Sequence, residues 1–203
     1  MSTPSTRTAG RWLAAGGIIG PAAFVGAWVA GAAATRPYSP VHDAISRLAA
    51  VGADTRPLMT AGFVGFGIAV PMYAAVLRRV VDGPAWVSAV ATGVATLAVA
   101  ALPLDRSPTV DTWHGIAAGV GYVTLAATPL LAARPLAAQG SRGLAASGIA
   151  AGVISAVGLA LTTTSLPHGL LQRVGLTASD AWIAVSAAAI LTGRVVTPGF
   201  VRP

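Results

Sequence analysis

The sequence predicts an all-α fold: a polytopic membrane helix bundle of six transmembrane helices, with a short amphipathic helix in the first outer loop. Three observations predict it. Hydrophobic residues make up 55% of the 203 residues and charged residues only 9%, where a water-facing surface carries roughly a quarter charge. The mean hydropathy is +0.73, which also excludes disorder, since disorder needs low hydrophobicity and high charge. Six apolar runs each approach the about 20 residues that a helix needs to cross the hydrocarbon core.

The runs are Trp12–Ala34, Leu58–Leu77, Ala85–Leu104, Thr112–Ala133, Gly143–Thr163 and Leu176–Val196. They define a membrane domain over 12–197, flanked by a tail at 1–11 and another at 198–203. Pro37, Pro57, Pro84, Pro108, Pro135, Pro167 and Pro198 fall at or between the run ends, where a missing N–H costs least. Pro21, Pro71 and Pro129 lie inside runs and predict kinks. The first run follows Arg7 and Arg11, as a signal peptide would. Its length exceeds the roughly 7–15 residues of such a core, so a retained first helix is expected.

Orientation follows from arginine. Arg7, Arg11, Arg78, Arg79, Arg134, Arg142, Arg194 and Arg202 fall on one side, eight against five on the other. The positive-inside rule then puts both termini in the cytoplasm, here of a bacterial cell membrane. Trp12 and Trp86 would mark the inner interface, and Trp113 and Trp182 the outer one. The net charge of +7 sits on scattered single arginines, which argues against nucleic acid as a partner. The lipid bilayer is the expected partner. The absence of cysteine excludes disulfides and thiolate-bound metals.

Small residues recur at a spacing of four in Gly16/Gly20, Gly115/Gly119 and Gly148/Gly152. Such pairs let helix backbones approach closely. They predict tight packing, and a glycine face on which a partner membrane protein or a second copy could dock. The segment GIAAGV occurs at Gly115–Val120 and again at Gly148–Val153, a match that an Ala/Gly-rich chain produces by chance.

Polar residues inside a membrane protein are costly, so their position is the main functional clue. His42, His114 and His168 all fall on the outer side, with Asp43, Asp54, Asp105, Asp111 and Asp180. The first outer loop reads SPVHDAISRLAAVG. Ser39 can cap a helix begun at Pro40 and ended at Gly52. Val41, Ala44, Ile45, Leu48 and Val51 would form its apolar stripe. On the opposite side, His42 and Ser46 would touch, as would Asp43 and Arg47. Asp105 closes the third span, either as a ligand or water-holding group or in an ordinary Asp–Arg pair. Asp111 or Thr112 caps the fourth helix. His114 sits in its first turn, facing protein, a wet cavity or a neighbouring loop. Pro167 starts a short helix carrying His168, Gln172 and Arg173. Thr177 and Asp180 make a capping-box-like start to the last span, which gives Asp180 a structural role.

Two chemistries fit these residues. His42, His114 and His168 could ligate a metal, zinc above all, with Asp43, Ser46 or Asp105 as catalytic groups beside it. No His-x-x-Glu-His spacing supports that set. Otherwise Arg47, Gln172 and Arg173 simply complete a polar outer face.

The segments HDAISRLAAVGAD, LMTAGFVGFGIAVPMYAAVL, LPLDRSPTVDTWHGIAAGVGY and GLLQRVGL, in that order, resemble the bacterial and archaeal integral membrane family named domain of unknown function 998. The most specific parts are Asp43, Ile45, Ser46 and Leu48, then Pro103 and Asp105, then His114, then Gln172 with Arg173. The resemblance implies a polytopic membrane protein and supplies no reaction. A more distant likeness is to membrane hydrolases such as alkaline ceramidases and adiponectin-type receptors. That likeness would give Ser46, Asp105, His114 and His168 roles around zinc. The hydrolases have seven spans and a paired His-x-x-x-His, and this chain has neither.

Three functions follow as expectations. The first is a helical bundle that binds a lipid or a partner membrane protein through a polar outer face. The second is a metal-dependent hydrolase of lipid or amide bonds. The third is a transporter, ranked last because mid-span positions offer only Ser, Thr, Tyr73, Tyr122 and prolines.

Overall fold

Six α-helices follow one another through residues 10–195, the part of the chain that the structure, a computed structural model, describes. They are α1 (Gly16–Ala34), α2 (Arg56–Val80), α3 (Ala85–Ala101), α4 (Pro108–Ala138), α5 (Arg142–Leu161) and α6 (His168–Leu191). A 3-10 turn over Trp12–Ala15 leads into α1. The predicted tails lie outside the described residues except for Gly10 and Arg11.

Five helices, the first counted from Trp12, are long and apolar enough to cross a membrane. The chain is therefore a multi-pass helical membrane protein. The helix α3 is equally apolar but has 17 residues, about 25 Å at 1.5 Å per residue.

Each helix packs on its sequence neighbours, α6 returns to pack on α1, and it also touches α4. The result is a closed ring of sequential helices. The Arg11 guanidinium fastens the ring's seam, donating to the carbonyls of Ile190 (3.0 Å) and Leu191 (2.7 Å) at the end of α6. A cation there satisfies carbonyls that have no helical partner.

Two of the three glycine pairs are consumed by this ring. A methyl group on Gly16 would lie 2.1 Å from the Ala69 carbonyl oxygen of α2, and one on Gly152 would lie 2.9 Å from that of Ala126 on α4. Gly115 and Gly119 face open space. The two GIAAGV copies thus occupy different surroundings, consistent with chance recurrence.

Several element boundaries differ from expectation. Ser107 caps α4, its Oγ accepting from the Val110 N–H at 3.3 Å. Of the two expected caps, Asp111 instead accepts from the backbone N–H of Asp105 at 3.0 Å and the Thr112 hydroxyl donates to the Pro108 carbonyl at 2.9 Å. Asp105 has φ 63°, a left-handed conformation that Asp tolerates better than most residues. Pro135 lies inside α4 rather than between spans. The largest correction concerns the last helix. It begins at His168, eight residues before the expected start at Leu176, and absorbs the predicted short helix at Pro167. Nothing between His168 and Leu191 breaks a helix. Trp182 consequently lies deep in the bundle rather than at an interface. It is buried, and its indole N–H donates to the Leu144 carbonyl at 3.0 Å.

Candidate binding site

The loop from Thr35 to Thr55 folds over one end of the ring as a cap. It is not the continuous amphipathic helix expected. Residues 40–43 form turns, Ala44 is extended (φ −64°, ψ 146°), and only Ile45–Ala49 coils, as a 3-10 helix. The break at Ala44 undoes the four-residue pairings. Asp43 accepts from the Ser39 N–H at 2.7 Å instead of pairing with Arg47. Arg47 reaches across to Asp105, donating to both carboxylate oxygens at 2.9 and 2.8 Å. His42 is exposed, while Ser46 is buried and faces the bundle. Ile45 and Leu48 are each 1% exposed and plug the ring.

The cap is pinned by α6. Gly169 lies so close beneath it that a β-carbon there would meet the Asp43 oxygen at 2.6 Å and the Pro40 oxygen at 2.9 Å. One turn on, the buried guanidinium of Arg173 donates to the carbonyls of Pro40 (2.7 Å), Asp43 (3.0 Å) and Gly169 (2.8 Å), and to the Tyr38 hydroxyl. The guanidinium also lies over the rings of Trp28 and Tyr38, at 5.2 and 5.6 Å. Carbonyl dipoles and aromatic faces, not a carboxylate, offset its desolvation. Tyr38 holds its proton more tightly than an ordinary phenol. Burial is the main cause, opposed by the charge and hydrogen bond of Arg173, with Asp43 adding to the upward shift. Its hydroxyl donates to the Ala44 carbonyl at 3.2 Å. Gln172 ties the cap to α4: its Oε1 accepts from the Ile45 N–H at 2.8 Å and its Nε2 donates to the Tyr122 hydroxyl.

Beneath the cap, inside the ring, is a cavity of about 50 Å³. Its wall is mostly apolar: Phe24 of α1, Phe63 and Phe66 of α2, Val99 of α3, and Leu125 and Leu176. Ser46 and Gln172 line it from the cap end, Thr92 and Thr96 from α3, Tyr122 from α4 and Asp180 from α6. Asp180 is 2% exposed, and neither carboxylate oxygen has a hydrogen-bond partner among the described residues. It stands twelve residues into a 24-residue helix, about 18 Å from either end. The expected capping role for Asp180 is overturned: it sits buried in mid-helix, on the wall of the cavity.

Of the predicted site residues, Ser46 and Gln172 line this cavity, while His42, Asp43, Arg47, Asp105, His114, His168 and Arg173 do not. His114 is buried, with Nδ1 2.6 Å from the Leu102 carbonyl oxygen, which is the neighbouring-loop contact that sequence left open. His42 and His168 are both exposed. Among the described residues no three His or Asp side chains form a group able to hold a metal ion, so the structure does not bring the zinc set together. Asp105 is engaged with Arg47 at the surface. Of the polar outer-face residues, Gln172 and Arg173 are buried clamps and Arg47 is an exposed ion pair.

Sequence reasoning missed Asp180, Thr92 and Thr96 as site residues. The usable signal was Pro167, a helix start with no breaker after it. Counting from there places Asp180 at mid-span.

The family model described as "Protein of unknown function (DUF998)" matches residues 18–189. Neither a curated protein nor a solved structure matches the chain.

Proposed function

This chain belongs to the DUF998 family of proteins of unknown function, and from that premise we propose that it is a six-span membrane protein of the carrier type, which takes a small polar solute into the cavity inside its ring. Both termini are cytoplasmic in this reading, and the cap over Thr35–Thr55 closes the outer mouth. The observation that carries it is Asp180. An ionisable side chain at mid-membrane is expensive and faces a partner, a ligand or a water-filled path. Here the carboxylate has no hydrogen-bond partner among the described residues and lines a cavity. A merely structural aspartate would be paired. The reading moves the functional centre from the outer face, where the sequence alone suggested a lipid- or partner-binding site, to the interior. The third expectation thereby becomes the first.

A carrier must open its cavity to water. The chain has no cysteine, so any introduced thiol is the sole one. Ala118→Cys puts it on the cavity wall, and Val123→Cys puts it on an outward position that is 71% exposed. Only a thiolate in contact with water reacts quickly with a charged methanethiosulfonate. In membranes, Ala118→Cys should react at least about tenfold faster than Val123→Cys. Equal inertness of the two would remove the carrier reading.

A further inference from the structure

We infer that the solute held at Asp180 is a small monovalent cation, a proton or a sodium ion, bound by the carboxylate together with the oxygens of Thr92 and Thr96. The inference rests on the carrier reading and names its cargo or coupling ion. Three features of the cavity decide the class of ligand.

Size comes first. An apolar cavity of roughly 150 Å³ takes up benzene, and one water needs about 10–15 Å³. A cavity of about 50 Å³ therefore has room for an ion with a few waters.

Charge comes second. Asp180 is the one acidic residue on the cavity wall, and the only other titratable group there is Tyr122. The cap contributes Ile45 and Ser46, α1 contributes Phe24, and α2 contributes Phe63 and Phe66; none carries charge. Tyr73 of α2 is bonded to Ser186, and His114 of α4 to Leu102. Arg173 lies seven residues from Asp180, about 10.5 Å along the helix; its Nη groups donate to the cap carbonyls and the Tyr38 hydroxyl, and its Nε–H has no partner among the described residues. On α5, which packs against α6, the buried polar side chain among the described residues is Ser155, donating to the Gly175 carbonyl. One negative charge neutralises one positive charge. A divalent ion draws on more carboxylates and six or more oxygens.

Donor chemistry comes third. Thr92 uses its hydroxyl proton on the Ser88 carbonyl (3.0 Å) or the Thr124 hydroxyl (2.9 Å), and Thr96 uses its own on the Thr92 carbonyl (2.9 Å). With their protons spent, both oxygens offer only lone pairs. Lone pairs on the same cavity wall as a carboxylate favour a hard cation over an anion.

The test is carbodiimide labelling of the full chain in mild detergent, with the adduct located by peptide mass. Dicyclohexylcarbodiimide reacts with protonated carboxyls in apolar surroundings. Asp180 should be the fastest of the six aspartates to react, and Asp180→Asn should abolish that adduct. Labelling should slow as pH rises. If sodium chloride slows it at least about fivefold against choline chloride at fixed pH and ionic strength, through competition for one site, the cation is sodium. A response to pH alone identifies the proton. The double variant Thr92→Val with Thr96→Val should weaken the sodium effect or move the pH midpoint by about one unit. Failure of Asp180 to label at any pH, a rate indifferent to both pH and sodium, or a double variant that behaves as wild type would overturn the assignment. If Ala118→Cys reacts from water while any of these occurs, the cavity reading survives and only the cation falls. If Ala118→Cys is inert as well, both fall.

Discussion

Removing the Arg173 side chain tests whether the cap is held as the geometry implies. Arg173→Ala deletes the donors to the Pro40 and Asp43 carbonyls, at 2.7 and 3.0 Å, and to the Tyr38 hydroxyl. A hydrogen bond from a charged donor contributes about 1.5–3 kcal/mol in a buried site. Two cap carbonyls lost together give about 3–6 kcal/mol. Water entering the gap left by a large side chain recovers part of that, so about 3 kcal/mol is the working figure for cap release. That corresponds to roughly a hundredfold rise in the open population, at 1.4 kcal/mol per decade. The assay uses Ser46→Cys, a thiol on the buried side of the cap that is the chain's only one. Its labelling from water tracks the fraction of time the cap is lifted. The Arg173→Ala background should raise the labelling rate by about a hundred, and Arg173→Lys should fall between, since a single ammonium cannot span the same acceptors. A rate within about twofold of the parent would refute the clamp.

Three further outcomes are expected. Asp180→Leu should raise thermal stability in detergent by about 1–3 kcal/mol, because it removes an unpaired buried carboxyl; a lower melting temperature would mean that Asp180 has a structural partner. Gly169→Val should lift the cap as Arg173→Ala does, since its side chain would enter the space of the Asp43 and Pro40 oxygens. Unchanged Ser46→Cys labelling would show that the loop yields at no cost. Tyr38 gives a pH dependence: its folded pKa lies above the ordinary 10.0, so the fold favours the neutral phenol. Its contribution is fully present below pH 10 and is lost as pH rises through the higher folded value. Ser46→Cys protection should therefore weaken at alkaline pH beyond 10, and Tyr38→Phe should remove that dependence while lowering protection at neutral pH.

The spans were legible because lipid imposes a length and a composition on each helix separately. Trp12, Ala34, Ala85 and Arg142 fall at or within one residue of an expected boundary. The cap's position was legible from the density of His, Asp and Arg between the first two spans. Its conformation was not. An i, i+4 pattern from Pro40 to Val51 reads as a helix, but Gln172 and Arg173, some 130 residues away, bind the cap backbone directly and stabilise a broken path with Ala44 extended. The start of α6 was misread for a related reason. His168, Gln172 and Arg173 lower the local hydropathy, which pushes an apolar window toward the C-terminus. Gln172 and Arg173 bond to residues from the cap and α4, and that compensation is tertiary. Asp180 was then assigned to a helix end, and the mid-span inventory that disfavoured a carrier was short by its most important member.

The closed ring has a consequence for biogenesis. The cap loop leaves the ribosome early, between the first and second helices, yet its clamp (Arg173), its bridge (Gln172) and the buttress beneath it (Gly169) all belong to the final helix. The cavity likewise lacks its carboxylate until that helix arrives. Synthesis runs from the N-terminus, so five helices can pair with their neighbours while the loop waits without its anchors. Insertion of α6 then closes the seam against α1, seats the cap and delivers Asp180 together. A chain shortened before His168 would retain most of its hydrophobic mass but lack Gly169, Gln172, Arg173 and Asp180 together.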